Sequence, residues 1–255
     1  PGEFDTVLYA SQLLQADAIR YGVEHFRRNR GRCMGAVYWQ LNDCWPVISW
    51  SSIDYWGRWK ALHYYAKRFF APVMISCQEE SWLTQEANMN RQHFEFEKSI
   101  WLNVTNETLA DKEIQVKWYL RNAEAEILRE ETEIVSVPAL TSVWLDKVEL
   151  PEVDVFTEYV SFEAWEKGEK ISEGTVIFSY PKYFKYEEPN LKWSVEGNTI
   201  TVSADTYAKS VEILNENEDL VLSDNYFDLN GDSKTVEILR GKPENIRVRS
   251  VFDIR

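Results

Sequence analysis

Residues 35–72 read GAVYWQLNDCWPVISWSSIDYWGRWKALHYYAKRFFAP, and the expected architecture of the N-terminal part follows from this stretch. Together with Met34, its opening MGAVYWQL (34–41) is a short, nearly continuous apolar run, the pattern of a strand buried on both faces of a parallel sheet. After a loop from Asn42, a helix is predicted to start near residues 56–59. Trp59, Leu62, Ala66 and Phe69 would line one face of it, and Pro72 would end it. Working outward, Asp5 or Thr6 can cap an earlier helix whose apolar positions include Ala16, Ile19, Val23 and Phe26. Arg27, Arg28 and Arg30 favour its C-terminal end electrostatically, and Gly31 can stop it. Helix, strand, loop and helix make one and a half βα units.

A strand of that kind cannot stand alone, because its N–H and C=O groups need partner strands on both sides. No further βα alternation follows. Residues 1–72 therefore either belong to a barrel whose other strands are absent or dock on the later domains. The same stretch holds five of the eleven tryptophans: Trp39, Trp45, Trp50, Trp56 and Trp59. An indole offers a flat apolar face and one N–H donor. Set beside Asn42 and Asp43, such faces suit a sugar, which pairs apolar C–H faces with hydroxyls; core packing is the competing role for each ring.

GAVYWQLNDCWP followed by SWSSIDYWGRWKALHYYAKRFFAP resembles the last barrel strand, following loop and last barrel helix of glycoside hydrolase family 2, and within it the β-mannosidases. DTVLYASQLLQADAIRYGVEHFRRNRG resembles the helix before that strand, and LVLSDNYFDLNGDSKTVEI with RVRSVFDIR resembles the family's C-terminal β-domain. The resemblance covers residues 5–72 and, with less detail, 183–255. Pro1–Glu3 and Phe4 have no counterpart in it and read as an added segment. It implies a retaining, exo-acting β-mannosidase whose two catalytic glutamates, the first in an Asn-Glu pair, lie on barrel strands upstream of Pro1. The Asn-Glu pairs here (Asn106-Glu107, Asn215-Glu216, Asn217-Glu218) fall in the β-domains or their turns, so no catalytic carboxylate is expected in this chain. By the resemblance, Trp39 is the strand-end aromatic under the terminal sugar ring. Asn42 and Asp43 could bond a sugar hydroxyl or orient neighbours, and Trp45 would line the pocket mouth. Asp54 is expected to brace the approach to the last helix, and His63 to be packed rather than catalytic.

Composition and charge agree with a soluble, multi-domain piece. Residues 1–72 carry a net charge of +3 and residues 73–255 one of −17. That shift marks a candidate boundary at Pro72, and the acidic remainder lacks the basic footprint that nucleic acid requires. No apolar run reaches the length of a membrane span, and no signal peptide opens the chain. Three cysteines without CxxC spacing (Cys33, Cys44, Cys77) and three scattered histidines (His25, His63, His93) suggest neither a disulfide framework nor a metal site. No cofactor is expected.

From residue 73 onward, alternation and turn punctuation predict strands at 93–106, 113–122, 132–139, 141–150 and 158–181, an immunoglobulin-like β-sandwich. Trp101, Trp118, Trp144 and Trp165 are expected to point into its core. Past a boundary near 181–189, a hairpin about Gly197 opens a smaller sandwich. The sequons Asn103-Val-Thr105 and Asn106-Glu-Thr108 carry little weight. The expected fold class is thus mainly β with an α/β N-terminal piece. The last βα elements of a (β/α)8 barrel (1–72) precede two immunoglobulin-like sandwiches (73–182 and 183–255). The partner implied is a β-mannoside oligosaccharide, bound through the complete enzyme, and uncovered apolar faces of 1–72 would favour self-association. Two alternatives stay open: another family 2 β-glycosidase such as an exo-β-glucosaminidase, or a non-catalytic carbohydrate-binding β-sandwich protein.

Overall fold

The computed structural model describes residues 3–85 and 95–254. His93 and the first residues of the strand predicted at 93–106 lie outside the described residues. The chain divides into two compact units: Pro1–Val23, Ala36–Phe69 and Glu187–Arg255 form one, Glu24–Gly35 and Phe70–Tyr186 the other.

Helix α1 runs over Phe4–Arg28, with Asp5 in its first turn and Arg27 and Arg28 in its last, as its dipole favours. Its buried stripe is Tyr9, Leu13, Ala16 and Val23, whereas Phe26 is exposed. Gly31 then takes a left-handed φ of 97°. Helix α2 covers Ala61–Phe69, starting later than the sequence suggests. The reason is local. Asp54 accepts the backbone N–H groups of Trp56 and Arg58, both at 2.9 Å, and Gly57 turns with φ 78°, so residues 54–58 close a turn.

The predicted strand at 34–41 does not form. The segment carries no strand, and Val37 is 99% exposed and Trp39 74%. Among the described residues no strand lies beside it, and an extended run without a ladder partner hydrogen-bonds to water instead. Only isolated bridges mark this region, pairing Ile53 with Asn42 and with Trp59.

In the unit holding α2, two sheets face each other. One has the order β12(Val221–Leu222)–β14(Ser233–Arg240)–β10(Thr199–Ser203)–β9(Lys192–Glu196), the other β13(Phe227–Asn230)–β11(Tyr207–Leu214)–β15(Arg247–Arg249). The β9–β10 hairpin turns at Gly197, as its sequence predicts. Ile200, Val202, Val211 and Leu229 are buried between the sheets. Helix α2 docks here through its polar tips as well as its apolar face. Arg68 bonds Asp224 and the carbonyls of Asn225 and Tyr226, and the Leu222 N–H donates to Tyr64 Oη at 3.2 Å.

The other unit is a sandwich of β1(Val73–Glu80)–β2(Ser99–Asn106)–β5(Thr141–Trp144), with β6(Val148–Glu149) also pairing β2, against β4(Ile127–Val137)–β3(Lys112–Asn122)–β7(Glu158–Glu166)–β8(Glu169–Ile177). All pairings are antiparallel, and Ile75, Leu102, Val104, Val116, Trp118, Phe162 and Val176 belong to its core. Strand β1 has no counterpart in the sequence reading: its first five residues are all buried, so it shows no alternation to detect. A short helix α3 (Trp82–Gln85) follows it.

Of the four tryptophans expected inside, only Trp118 is buried in the core. Trp101 and Trp144 alternate with core residues onto the outer face of their sheet, rings 4.3 Å apart, and Trp101 Nε1 donates to Leu145 O at 2.7 Å. Trp165 likewise lies outside, under the Lys117 ammonium at 4.7 Å. The arginines at the end of α1 do more than answer its dipole. Arg28, 5% exposed, donates to Cys77 O and pairs with Glu24, while Arg30 bonds both Glu107 and Leu140 O. Asn103 and Asn106 are fully buried, so neither sequon presents its amide to solvent in the folded chain.

Candidate functional site

The segment between α1 and α2 has little regular structure yet is densely braced. Backbone bonds tie 40–43 to 51–54: Ser52 N to Gln40 O (3.0 Å), Ile53 N to Leu41 O (2.8 Å) and Asp43 N to Ile53 O (3.2 Å). Lys60 N closes the frame on Ser52 O at 3.0 Å. Two serines supply side-chain cross-links. Ser49 Oγ donates to Asp43 Oδ1 at 2.6 Å and Ser51 Oγ to Asp43 Oδ2 at 2.7 Å. Tyr38 Oη and Ser52 Oγ lie 3.0 Å apart, and Ser52 Oγ donates to Leu41 O.

Asp43 is therefore the buried anchor of the loop, not an exposed sugar ligand. The Ser49 and Ser51 hydroxyls, and after them Lys60, hold its carboxyl below the usual carboxylate range. Lys60 donates to Ser49 O and Ser51 Oγ, and burial lowers its pKa against the pull of Asp43 and Asp54. His63 rests on the Trp59 ring at 4.5 Å, with Nδ1 3.2 Å from Ser52 Oγ. Burial lowers its pKa, which keeps the imidazole neutral at pH 7, in keeping with a packed role. Asp54 braces the turn before α2, as expected, and adds an ion pair to Arg58 at 2.6 Å.

The other expected site residues fall on the outside of this frame. Trp39 and Trp45 are 74% and 63% exposed, and Asn42 is exposed with its amide donating to Asp43 O. Trp50 and Trp56 are exposed as well, whereas Trp59 is half-buried. The frame thus carries Trp39 and Trp45 on a backbone whose rigidity comes from Asp43. Stacking on apolar faces is chemistry these rings can do; proton transfer is not, because the segment's two carboxylates are committed to serines and to Arg58. Sequence reasoning passed over Gln40, Ser49, Ser51 and Lys60, although the Ser-Trp-Ser-Ser run behind an aspartate is a legible sign of hydroxyl cross-links.

The Asn-Glu pairs have structural uses. Asn106 fastens the carbonyls of Ala110, Val137 and Pro138, Glu107 pairs with Arg30, Glu216 accepts from Asn245 and Glu218 pairs with Arg58. Among the described residues no group of three or more His, Cys, Asp or Glu could hold a metal ion, and no helix is long and apolar enough to cross a membrane.

Known proteins resemble this chain at several levels. A family model described as a Mannosidase Ig/CBM-like domain matches residues 98–183, and a second, described as an Ig-fold domain of mannosidases, matches 186–254. The β-mannosidase of Capra hircus is 49% identical over 78 residues, which is 28% of this chain and 9% of that protein. β-Mannosidase B of Aspergillus terreus is 27% identical across 92% of this chain and 29% of its own length. The crystal structure of a β-D-mannosidase from Dictyoglomus thermophilum superposes on 98% of this chain and 30% of that one, with a TM-score of 0.81 and 21% identity, a likeness of fold. The chain spans less than a third of each of these three proteins.

Proposed function

Since this chain is a β-mannosidase-like member of glycoside hydrolase family 2, we propose that it is the C-terminal part of a retaining, exo-acting β-mannosidase and carries part of its sugar site. Residues 1–72 are then the closing βα elements of a (β/α)8 barrel, and 73–182 and 183–255 its accessory sandwich domains. The observation that carries the reading is the frame around Asp43, which presents Trp39 and Trp45 to solvent on a cross-linked backbone. Nearly complete exposure of Val37 and Ile48 supports it, because apolar side chains this open are what removal of neighbouring barrel strands leaves.

In such a barrel the active site lies at the C-terminal ends of the strands, where 39–45 would sit. Trp39 forms the apolar floor under the terminal mannose and Trp45 the rim. Asn42 is the polar contact and Asp43 positions them. The two carboxylates of a retaining mechanism, about 5–5.5 Å apart, come from glutamates upstream of Pro1, so this chain by itself is inactive. The test is hydrolysis of aryl β-mannoside and aryl β-glucosaminide by the longer protein and by residues 1–255. Turnover of the mannoside by the longer protein alone is expected. Turnover by 1–255 refutes the placement of the glutamates, and preference for the glucosaminide refutes the substrate.

A further inference from the structure

In the unit that holds α2 and residues 4–23 of α1, a cavity of about 220 Å³ lies where the first turns of α1, the 54–60 turn and strands β11 and β15 meet. Its walls are aromatic. Tyr9, Tyr64 and Tyr226 are buried there beside the half-buried Trp59, with Tyr9–Tyr226, Tyr64–Tyr226 and Trp59–Tyr64 centroids 6.3, 5.8 and 5.5 Å apart. Its two arginines are held in closed forks. Arg249 bonds Glu212 and Asp5 and lies over the Tyr9 ring at 4.6 Å. Arg58 bonds Asp54 at 2.6 Å and Glu218 at 2.7 Å.

Two features decide what such a cavity can take. Each guanidinium is already matched by two carboxylates, and the third cation of the lining, the Lys60 ammonium, is held by Ser49 O and Ser51 Oγ, so an entering anion meets no cation without partners and an entering cation must compete with a basic group held in place. A neutral guest faces neither obstacle, and the fixed carboxylate oxygens keep lone pairs that can accept further O–H donors. Among the described residues the Gln12 side chain gives its oxygen to the Ala61 N–H at 3.1 Å and its NH2 group to nothing, which adds a donor for a hydroxyl. The volume is below the range of about 300–1,000 Å³ for drug-sized ligands and matches roughly seven waters at about 30 Å³ each. That is the bulk of one pyranose ring. We propose that this cavity binds a neutral polyhydroxylated small molecule of hexose size, with Trp59 as its apolar wall and Glu212, Glu218 and Gln12 as its hydroxyl partners.

The test is titration calorimetry of the 255-residue chain with D-mannose, D-glucose and inorganic phosphate as probes. A dissociation constant of about a millimolar is expected for a sugar of this size, and no heat from phosphate. Leu8→Trp places a large ring in the cavity from a half-exposed position on α1 and is expected to weaken binding at least about tenfold. Glu218→Gln, at an exposed carboxylate whose change takes only a surface ion pair from the fold, is expected to weaken it several-fold. Tighter binding of phosphate, or no heat from either sugar, overturns the assignment. So does a sugar signal that survives Leu8→Trp and Glu218→Gln but disappears with Trp39→Ala, because that signal belongs to the tryptophan loop.

Discussion

Replacing Trp39 with alanine separates a sugar-contact role from a packing role, because the structure assigns very different costs to the two. Trp39 is 74% exposed, so its loss removes little folded-state contact and should shift stability by no more than about 0.5 kcal/mol. A sugar laid on one indole face would hide roughly 100 Å², about half of what a tryptophan can bury. At about 25 cal/mol per Å² this is worth ~2.5 kcal/mol, or about 70-fold in kcat/KM. Trp101 is the control. It is half-buried, tilted against the Trp144 ring and hydrogen-bonded to Leu145 O, so Trp101→Ala should cost about 3 kcal/mol of stability. It should leave kcat/KM per folded molecule unchanged. The assay is aryl β-mannoside hydrolysis by the longer protein, normalised to folded fraction from urea unfolding curves. Equal losses of kcat/KM in the two variants, or unfolding by Trp39→Ala, would refute the argument.

Three further outcomes follow from the packing. Asn106→Leu strands the carbonyls of Ala110, Val137 and Pro138 and the Thr108 N–H; it should destabilise the sandwich of that unit by about 3 kcal/mol, read as a lower urea midpoint. Gly174→Ala sets a Cβ 2.6 Å from Phe162 Cζ and should cost about 1–3 kcal/mol; Phe162→Leu in the same chain should recover part of that loss, and additivity of the two changes would count against the clash. Burial alone would raise the Asp224 pKa, but Arg68 and Lys234 overcome it and leave the folded value below the ordinary one. Its stabilisation is therefore complete above the unfolded pKa of about 4 and lost as pH falls through the folded value. Urea midpoints measured from pH 7 to pH 2 should show an acid limb that Asp224→Asn flattens, and an unchanged limb would disprove this linkage.

Much of the fold is legible because the relevant signals are local. Helix α1 announces itself through apolar spacing, an acidic first turn and a basic last one, and the strands of both sandwiches through alternation, which appears whenever one face meets a core and the other water. Strand β1 escapes for the opposite reason, since burial on both faces erases the period. Helix α2 begins later than its pattern suggests because an Asx turn at Asp54 holds residues that have acceptable helical propensity. The candidate site was legible only as a cluster of indoles beside Asn42 and Asp43. That Asp43 faces inward to two serines depends on how 40–43 folds back along 51–54.

The sequence by itself determined helix α1 and most strands of the two sandwiches, where the indoles concentrate, and a likeness to the β-mannosidases that the matched domains bear out. Only the tertiary structure decided which side of each element is inside. It turned Trp101, Trp144 and Trp165 outward, made the arginines at the end of α1 partners of Glu24 and Glu107, and left 34–41 without a ladder. The physical reason is that propensity and period act within a few residues. Burial, ion pairing and strand pairing are instead settled by neighbours brought close by the chain's return, and an apolar run with no such neighbour cannot become the strand its composition suggests.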